Sequence, residues 1–252
     1  MFILQNSFCN LKTIMATKEL TFIGEDPGAV KHGNFINYYT FHSPTERIQN
    51  LHPSMFPSDN NQEQQIVCLD IGCNSGELTK EINGYMRTIY PEYKILILAI
   101  DIDPILIERA QKFNGEPEIC YKRLDIMDKR DHIVIQDYLS SHGKKTFDIT
   151  FCFSVTMWIH LNNGDKGLLE FLKYLKNNSR TLIIEPQPWN CYRNAQRRLK
   201  KSGSLFPFYE NLEIRSNICN IIEKELSKET HKKVHESSAS NWKRKIQCYQ
   251  VL

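Results

Sequence analysis

Short apolar runs alternate with amphipathic stretches over most of the chain, and this alternation predicts a parallel sheet with helices packed on it. The apolar runs predict strands at residues 66–71, 94–101, 119–124, 147–153 and 181–185, and weaker patterns predict closing strands at 234–237 and 246–252. The amphipathic stretches predict helices at residues 77–90, 103–112, 165–176, 189–201 and 218–226. The predicted fold class is therefore α/β and Rossmann-like, with a mostly parallel seven-stranded sheet and helices on both faces.

The amino-terminal segment does not continue this pattern. Residues 1–31 show no clear periodicity and lack the basic start of a signal peptide, so we expect a poorly ordered tail. Residues 32–252 are expected to form a single domain that opens with an aromatic segment at residues 32–48. No apolar run approaches the ~20 residues of a membrane-spanning helix, so no membrane partner is expected.

The net charge of +3 is unevenly distributed along the chain. From Arg180 to the C-terminus there are 14 Lys and Arg against 7 Asp and Glu, whereas the preceding part is net negative. This basic last third favours a polyanionic partner such as a nucleic acid. A solvated, Lys-rich surface is the alternative, and charge alone leaves both interpretations open.

The eight cysteines are not paired as Cys-x-x-Cys, and several lie in apolar runs. This spacing is typical neither of a zinc site nor of a disulfide framework, so no metal is expected. We expect buried thiols in a reducing compartment, which favours the cytoplasm and leaves the nucleus open.

The most informative stretch is residues 68–76, where an apolar strand leads through a turn with Gly72 and Gly76 into a helix. Glycine permits positive φ and a close approach of backbone to ligand, and the helix start adds backbone N–H donors. A dinucleotide fingerprint needs glycine at position 74, which is Asn74 here. The turn therefore favours S-adenosylmethionine as ligand, with an ordinary strand–turn–helix as the alternative.

Three acids stand where the first three strands end: Asp70, Asp101 and Asp125. Asp70 can accept hydrogen bonds from a ligand or hold the turn. Asp101 can accept from ribose hydroxyls, and Asp125 with the backbone N–H of Ile126 can bind one edge of an adenine. Each acid alone is also explained as a turn former or helix cap, but the three together favour an adenosine ligand.

Two loops after later strands are expected to face the glycine turn across the sheet. Residues 154–165 carry hydroxyls, Trp158 and His160 within a short span. The alternative, which is equally good, is that Trp158 and Ile159 belong to the core and His160 is a satisfied hydrogen-bond partner. Around Gln187, two prolines predict a rigid extended turn that suits the wall of a site.

Two further segments carry groups suited to RNA. The helix at 189–201 places Arg193, Arg197 and Lys200 on one face, where they could bind phosphates or form an ordinary solvated surface. The aromatic segment combines rings and hydroxyls, including Tyr38 and Tyr39, and can fold over a ligand. Its alternative is a helix whose rings form an apolar face.

Several of these motifs together resemble the bicoid-interacting protein family, whose members methylate RNA 5′-phosphates and include the methylphosphate capping enzyme. The similar stretches are residues 33–39, 69–76, 101–103, 154–165 and 185–189, with a weaker match at Asn241 and Trp242. The resemblance implies a class I S-adenosylmethionine-dependent methyltransferase fold, S-adenosylmethionine as cofactor and an RNA 5′ end as substrate.

Matched motif by motif, the resemblance and the turn chemistry imply roles for individual residues. Expected cofactor contacts are Arg47, Asp70, Gly72, Asn74, Gly76, Asp101, Asp125, Ile126 and Phe153. Expected catalytic residues are Tyr38, Tyr39 and His160. Expected RNA contacts are Asn34, His42, Trp158, Gln187, Arg193, Arg197 and Lys200.

Two branches of the family differ at Met157 and His42, where the capping enzyme, which methylates a γ-phosphate, has basic residues. The compact chain resembles the smaller branch, whose associated substrates are histidine tRNA and microRNA precursors. The predicted function is methylation of the 5′-monophosphate of a small RNA by a monomeric enzyme. The alternatives are methylphosphate capping of a 5′-triphosphate and a catalytically silent RNA-binding module.

Overall fold

A computed structural model describes residues 30–57, 64–113 and 116–252. The helices are α1 (Tyr38–Phe41), α2 (Pro44–Gln49), α3 (Glu77–Ile89), α4 (Pro104–Phe113), α5 (His132–Ser141), α6 (Thr156–Asn178), α7 (Trp189–Lys201) and α8 (Ile218–Leu226). The strands are β1 (Gln65–Ile71), β2 (Lys94–Asp101), β3 (Ile119–Arg123), β4 (Phe147–Phe153), β5 (Ser179–Glu185), β6 (His231–Glu236) and β7 (Gln247–Val251). The tail predicted at residues 1–31 lies outside the described residues, except for its last two.

The strands form one seven-stranded sheet in the order β3-β2-β1-β4-β5-β7-β6. Strands β1 to β5 are parallel, and β7 runs antiparallel to both of its neighbours. This arrangement confirms the predicted mostly parallel sheet. The strand order reverses between β1 and β4, and at such a switch point the carboxyl ends of the strands leave a crevice for a ligand.

Both faces of the sheet are buried, which explains why the central strands are apolar throughout rather than alternating. Successive β1 residues point to opposite faces: Val67 and Leu69 to one, Ile66 and Cys68 to the other. The first face packs against α5, α6, α7 and α8. The second packs against α3, α4 and the segment before β1.

Two helices differ from the prediction. Helix α5 was not predicted, because its consecutive β-branched residues Ile133, Val134 and Ile135 are typical of a strand and hide the helical period. Only Ile135 of these three is buried. Helix α6 begins at Thr156 instead of 165, and its backbone departs from helical geometry at Gly164, with φ 70° and ψ −176°.

The structure also shows the bounds of the two closing strands and the character of the helices. Strand β6 begins at His231, earlier than the predicted 234, and β7 closely matches its prediction. Within the described ranges, no helix is both long and apolar enough to cross a membrane.

Candidate active site

A cavity of about 310 Å³ lies at the edge of the sheet where β1 to β4 end. The turns after those strands, the aromatic segment and the start of α6 line it. Its volume is in the range of ordinary small-ligand sites. The predicted site residues that it brings together are Asn34, Tyr38, Gly72, Asn74, Asp101, Asp125, Ile126, Phe153 and Trp158.

Asp101 ends β2 and lies almost buried in the cavity wall. Its Oδ2 accepts a hydrogen bond from the backbone N–H of Asn74, and its Oδ1 accepts one from Asp103, both at 2.9 Å. Burial raises the pKa of Asp101 to about 6, so the group is mostly ionised at neutral pH. Each carboxylate oxygen keeps a second lone pair, so the fixed side chain can still accept a hydroxyl of a bound ribose.

Gly72 turns the chain sharply after β1, with φ +74°. A Cβ at this position would lie 2.5 Å from Cγ2 of Val155, which follows β4. The backbone N–H groups of Gly72 and Cys73 both donate to the carbonyl of Ile100, at 2.8 and 3.0 Å. The glycine is therefore needed for two turns to pack together at the cavity, in addition to any ligand contact.

The turn after β3 is held by its own hydrogen bonds. Asp125 accepts at Oδ1 from the backbone N–H of Met127 at 2.9 Å, and its own N–H donates to Asp131 at 2.7 Å. The ring of His132 hydrogen-bonds to the carbonyl of Ile126 at 2.8 Å. This fixed turn presents a carboxylate and backbone polar groups to the cavity, as recognition of a base edge requires.

The aromatic segment lines one side of the cavity and is tied to the turns of the sheet. Asn34 donates from Nδ2 to Asp103 at 2.7 Å, and Asn74 donates from Nδ2 to the carbonyl of Phe35 at 3.0 Å. The ring of Phe35 packs edge-on against Trp158, with centroids 5.8 Å apart. Helix α1 has no fully buried residue, but Tyr39 packs against the core, so the segment both lines the cavity and packs on the domain through an aromatic ring.

A buried ion pair lies directly behind the cavity wall. Arg47 of α2 donates from Nε and Nη2 to the two carboxylate oxygens of Glu185, at 3.2 and 2.9 Å. The same Nη2 also donates to the Tyr38 hydroxyl at 2.7 Å and to Ser154 Oγ at 3.1 Å. Burial acts to raise the pKa of Glu185, but Arg47, Arg244 and Ser154 together outweigh it and hold that pKa below its ordinary value. Arg47 was expected to contact the cofactor, but it does not line the cavity. It is linked to the cavity wall through Tyr38 and Ser154.

Two residues predicted as cofactor contacts serve the folding of the glycine turn instead. Asp70 is buried away from the cavity and accepts a hydrogen bond from Thr79 Oγ1 at 2.6 Å, and burial raises its pKa to about 6. Gly76 caps α3 with φ +85°, and a Cβ there would lie 2.6 Å from the Tyr121 hydroxyl. The corrected role of both residues is to join β1 to α3.

Two of the three residues predicted to be catalytic do not face the cavity. His160 is fully buried, with Nε2 2.7 Å from Asp165 Oδ1 and Nδ1 3.2 Å from the Tyr192 hydroxyl. Burial lowers its pKa, although Asp165 acts in the opposite direction. Tyr39 donates to the carbonyl of Cys73 at 3.2 Å. His160 is thus the satisfied core histidine of the alternative interpretation, and Tyr38 alone of the three lines the cavity.

Several predicted RNA contacts also lie elsewhere. Gln187 is buried, donates to the carbonyl of Ser154 at 2.6 Å and accepts from Thr156 and from the backbone of Met157 at 3.1 Å. It therefore fixes the start of α6 rather than facing the RNA. His42 stacks on Tyr38 with ring centroids 4.7 Å apart and does not line the cavity.

The basic face of α7 is exposed, as a surface that contacts RNA must be. Its predicted contacts are Arg193, Arg197 and Lys200. None of these three lines the cavity, so any role in binding concerns RNA beyond the reacting end. Their role in RNA binding stays a prediction.

Comparison with known proteins identifies the family. The Bicoid-interacting protein 3 (Bin3) model matches residues 147–251, and a methyltransferase domain model matches residues 69–183. A Xenopus laevis relative named pre-miRNA 5′-monophosphate methyltransferase is 39% identical over 240 residues, which are 90% of this chain and 94% of the relative. The chain belongs to the Bin3 family. A Bos taurus relative named RNA 5′-monophosphate methyltransferase is 41% identical over 211 residues, 78% of this chain and 72% of that relative.

Solved structures support the fold of this Bin3-family protein. The plantazolicin methyltransferase BpumL, solved with S-adenosyl-L-homocysteine, superimposes with a TM-score of 0.54 over 89% of this chain and 95% of that chain. At 12% identity this similarity shows the fold alone. The family match and the superposition together confirm the predicted S-adenosylmethionine-dependent methyltransferase fold.

The residues at the cavity of this Bin3-family protein fit S-adenosylmethionine. Asp101 and Asp125 present carboxylates for hydroxyl and amino donors. In addition, Nη1 of Arg47 is buried and has no hydrogen-bond partner among the described residues. An unpaired guanidinium N–H behind the cavity wall gives this side of the site a positive potential, which suits an anionic group in the cavity.

Three residues at this site were not predicted. Ser154 lines the cavity with φ +61°, a conformation that residues with a side chain rarely adopt. Glu185 ends a buried apolar strand, and a carboxylate in that position signals a cationic partner. Arg244 comes from a loop near the C-terminus, and no local pattern distinguishes it from Lys243 and Lys245 beside it.

Proposed function

We propose that this protein transfers a methyl group from S-adenosylmethionine to the 5′-monophosphate of a small RNA. The observation that carries the proposal is the match over nearly the whole chain to a relative named for this activity on pre-miRNA. The cavity supports this proposal, because its lining combines carboxylates for an adenosine ligand with the hydroxyl of Tyr38.

The methyl transfer depends more on alignment of the two reactants by the protein than on a general base. A terminal phosphate has a second pKa near ~6, so it is largely dianionic at pH 7 and already nucleophilic. When bound, S-adenosylmethionine would supply an electrophilic methyl group, which would pass from its sulfur to a phosphate oxygen as the carbon–sulfur bond breaks and S-adenosylhomocysteine leaves. Holding the phosphate oxygen and the methyl group in line lowers the activation free energy by roughly 7–11 kcal/mol in favourable cases.

Tyr38 is the residue that we assign to the reacting phosphate. Its hydroxyl accepts a hydrogen bond from Arg47 at 2.7 Å, which leaves the hydroxyl proton available for another acceptor. Because Tyr38 lines the cavity, that proton can be donated to a phosphate oxygen. The other phosphate oxygens stay free to attack, since a single neutral donor orients the group without neutralising it.

The remaining parts of the proposal concern the RNA and the setting of the enzyme. Histidine tRNA and microRNA precursors are the proposed substrate types, and the exposed basic face of α7 would contact their backbone. We propose a monomeric enzyme that needs no metal and works in the cytoplasm or nucleus. The seven cysteines in the described part of the chain are free thiols, which suits a reducing compartment.

The test presents RNAs of one sequence with a 5′-hydroxyl, a 5′-monophosphate or a 5′-triphosphate, together with S-adenosylmethionine labelled on its methyl group. We expect label on the monophosphate RNA and none on the hydroxyl RNA. A methylated phosphate is a diester, so the labelled end should also resist phosphatase. Equal labelling of the hydroxyl RNA would show methylation of a base or ribose, and preferred labelling of the triphosphate RNA would show the capping reaction.

A further inference from the structure

A second buried cation lies next to Arg47, and it comes from the other end of the chain. Arg244 donates from Nη1 to Ser154 Oγ at 2.6 Å, and the same nitrogen is 3.6 Å from Glu185 Oε2. Its side chain is 11% exposed, while those of Arg47 and Glu185 are each 1% exposed. We call Arg47, Arg244, Glu185 and Ser154 the guanidinium cluster.

The guanidinium cluster carries more positive than negative charge. Two guanidinium groups face one carboxylate, because Arg47 and Arg244 both pair with Glu185. The buried Asp70 also interacts with Arg47, but it forms no ion pair with it and is hydrogen-bonded to Thr79 instead. His42, which lies near both cations, adds no charge, since burial and the two arginines lower its pKa to about 4. A buried net charge is unfavourable without a partner, so this cluster is suited to an anionic ligand.

Unpaired donors in the guanidinium cluster point to the same conclusion. Nη1 of Arg47 and Nε of Arg244 are buried and have no hydrogen-bond partner among the described residues. The Ser154 hydroxyl accepts from both arginines and donates to Glu185, so its orientation is fixed. Ser154 also lines the cavity, which brings the positive charge of both arginines to the cavity wall.

The loop that carries Arg244 is held firmly against α2 and β5. Asn241 donates from its backbone and its side chain to Glu46, at 2.6 and 3.0 Å. Trp242 donates from Nε1 to Glu185 at 3.0 Å, and its ring lies 5.1 Å from the Arg47 guanidinium. Arg244 therefore keeps a defined position instead of reaching in from a free surface.

We propose that Arg244, together with Arg47, provides the positive potential that selects RNA with a phosphorylated 5′ end, and that Arg244 acts as a positioning residue through Ser154. This inference rests on the proposed function, because it concerns the reacting phosphate of that reaction. A doubly charged phosphate in the cavity would compensate the excess charge of the guanidinium cluster. An RNA that ends in a neutral 5′-hydroxyl would gain nothing from it.

The experiment compares the affinity of each protein for two RNAs of one sequence, one with a 5′-monophosphate and one with a 5′-hydroxyl. The variants are Arg244→Gln, Arg244→Lys and, as matched control, Arg180→Gln at the exposed start of β5. We expect Arg244→Gln to reduce the preference for the phosphorylated RNA by roughly tenfold or more, with binding of the hydroxyl RNA unchanged. Arg244→Lys, which keeps the charge, should retain part of the preference, and Arg180→Gln all of it.

Kinetics and cofactor binding separate positioning from a structural role. Arg244→Gln should raise KM for the monophosphate RNA more than it lowers kcat, with unchanged affinity for S-adenosylmethionine and a cooperative thermal transition. If the native protein labels monophosphate RNA and Arg244→Gln keeps the full preference, this inference alone is overturned. It is also overturned if Lys31→Gln, at the cavity, removes the preference instead. If the native protein labels no phosphorylated RNA, the proposed function fails and this inference with it.

Discussion

Arg47 and Glu185 lie 138 residues apart in the chain and form an ion pair whose side chains are each 1% exposed. The pair joins α2, at the end of the aromatic segment, to the carboxyl end of β5. It also fixes Tyr38, because Arg47 uses one nitrogen for both Glu185 and the Tyr38 hydroxyl. The aromatic segment is thus coupled to the sheet at the point where the reaction is proposed to occur.

Removing one partner of this pair should destabilise the fold. Glu185→Gln leaves Arg47 and Arg244 buried without a counter-charge, so we expect the free energy of unfolding to fall by about 3–5 kcal/mol. Urea unfolding of the variant and the native protein measures this difference. The matched control is Glu170→Gln, which breaks an exposed pair with Lys166 and should change stability by less than about 1 kcal/mol. Equal effects of the two variants would show that the buried pair contributes nothing special.

Gly72 and Gly84 give opposite predictions for the same substitution. Gly72→Ala forces positive φ on alanine and places its Cβ 2.5 Å from Val155, so we expect a loss of at least about 2 kcal/mol and weaker cofactor binding. Gly84 lies inside α3 with open space around its Cβ position, so Gly84→Ala should stabilise by about 0.5–1 kcal/mol. Thermal unfolding and calorimetry with S-adenosylmethionine check both. If Gly72→Ala left both stability and cofactor binding unchanged, this would contradict the close packing of the turns after β1 and β4.

His160 should prove structural rather than catalytic. His160→Asn removes the contacts with Asp165 and Tyr192 inside the core, so we expect a loss of about 1–3 kcal/mol in stability and little change in kcat. Tyr192→Phe, which removes one of the two partners, should show a smaller loss in the same direction. The measurements are unfolding curves and initial rates well below the transition temperature. A folded His160→Asn protein with intact stability and abolished turnover would restore the catalytic assignment.

Much of the fold and the cofactor side of the cavity follows from local sequence pattern. The apolar strands were predicted because both faces of the sheet are buried, and Asp101 and Asp125 were predicted because parallel strands end at one edge. The three-residue Ile133–Val134–Ile135 run shows the limit of such patterns, because β-branched residues favour a strand while tertiary packing makes α5.

The guanidinium cluster could not be predicted, because it depends on ion pairs between residues that are far apart in the chain. Arg47, Glu185 and Arg244 come from three distant segments. The position of Glu185 after an apolar strand signals a cationic partner, but nothing in the local sequence identifies Arg47 or Arg244 as that partner. His160 and Asp70 were predicted at the site but do not line the cavity, for the related reason that position after a strand does not fix side-chain direction. Asp70 turns towards Thr79, and His160 turns into the core between Asp165 and Tyr192.

Cofactor binding should weaken in mild acid because of Asp101. Burial raises the pKa of this carboxyl to about 6, and the ionised form is the better acceptor for ribose hydroxyls. Affinity for S-adenosylmethionine should therefore be constant above pH 7 and fall as pH drops through 6, by up to roughly tenfold at pH 5.

The raised pKa of Asp101 has the opposite effect on stability. The folded state holds this proton more tightly than the unfolded state, so the contribution of Asp101 to unfolding free energy rises between pH 6 and pH 4. Calorimetric titrations from pH 5 to pH 8 without RNA avoid the titration of the substrate phosphate. Asp101→Asn should bind weakly at every pH and lose the dependence near pH 6. Asp70→Asn, at a residue with a similar pKa that does not line the cavity, should keep the dependence but shift it to lower pH, because the two carboxylates interact. A pH-independent affinity in the native protein would exclude Asp101 as the titrating contact.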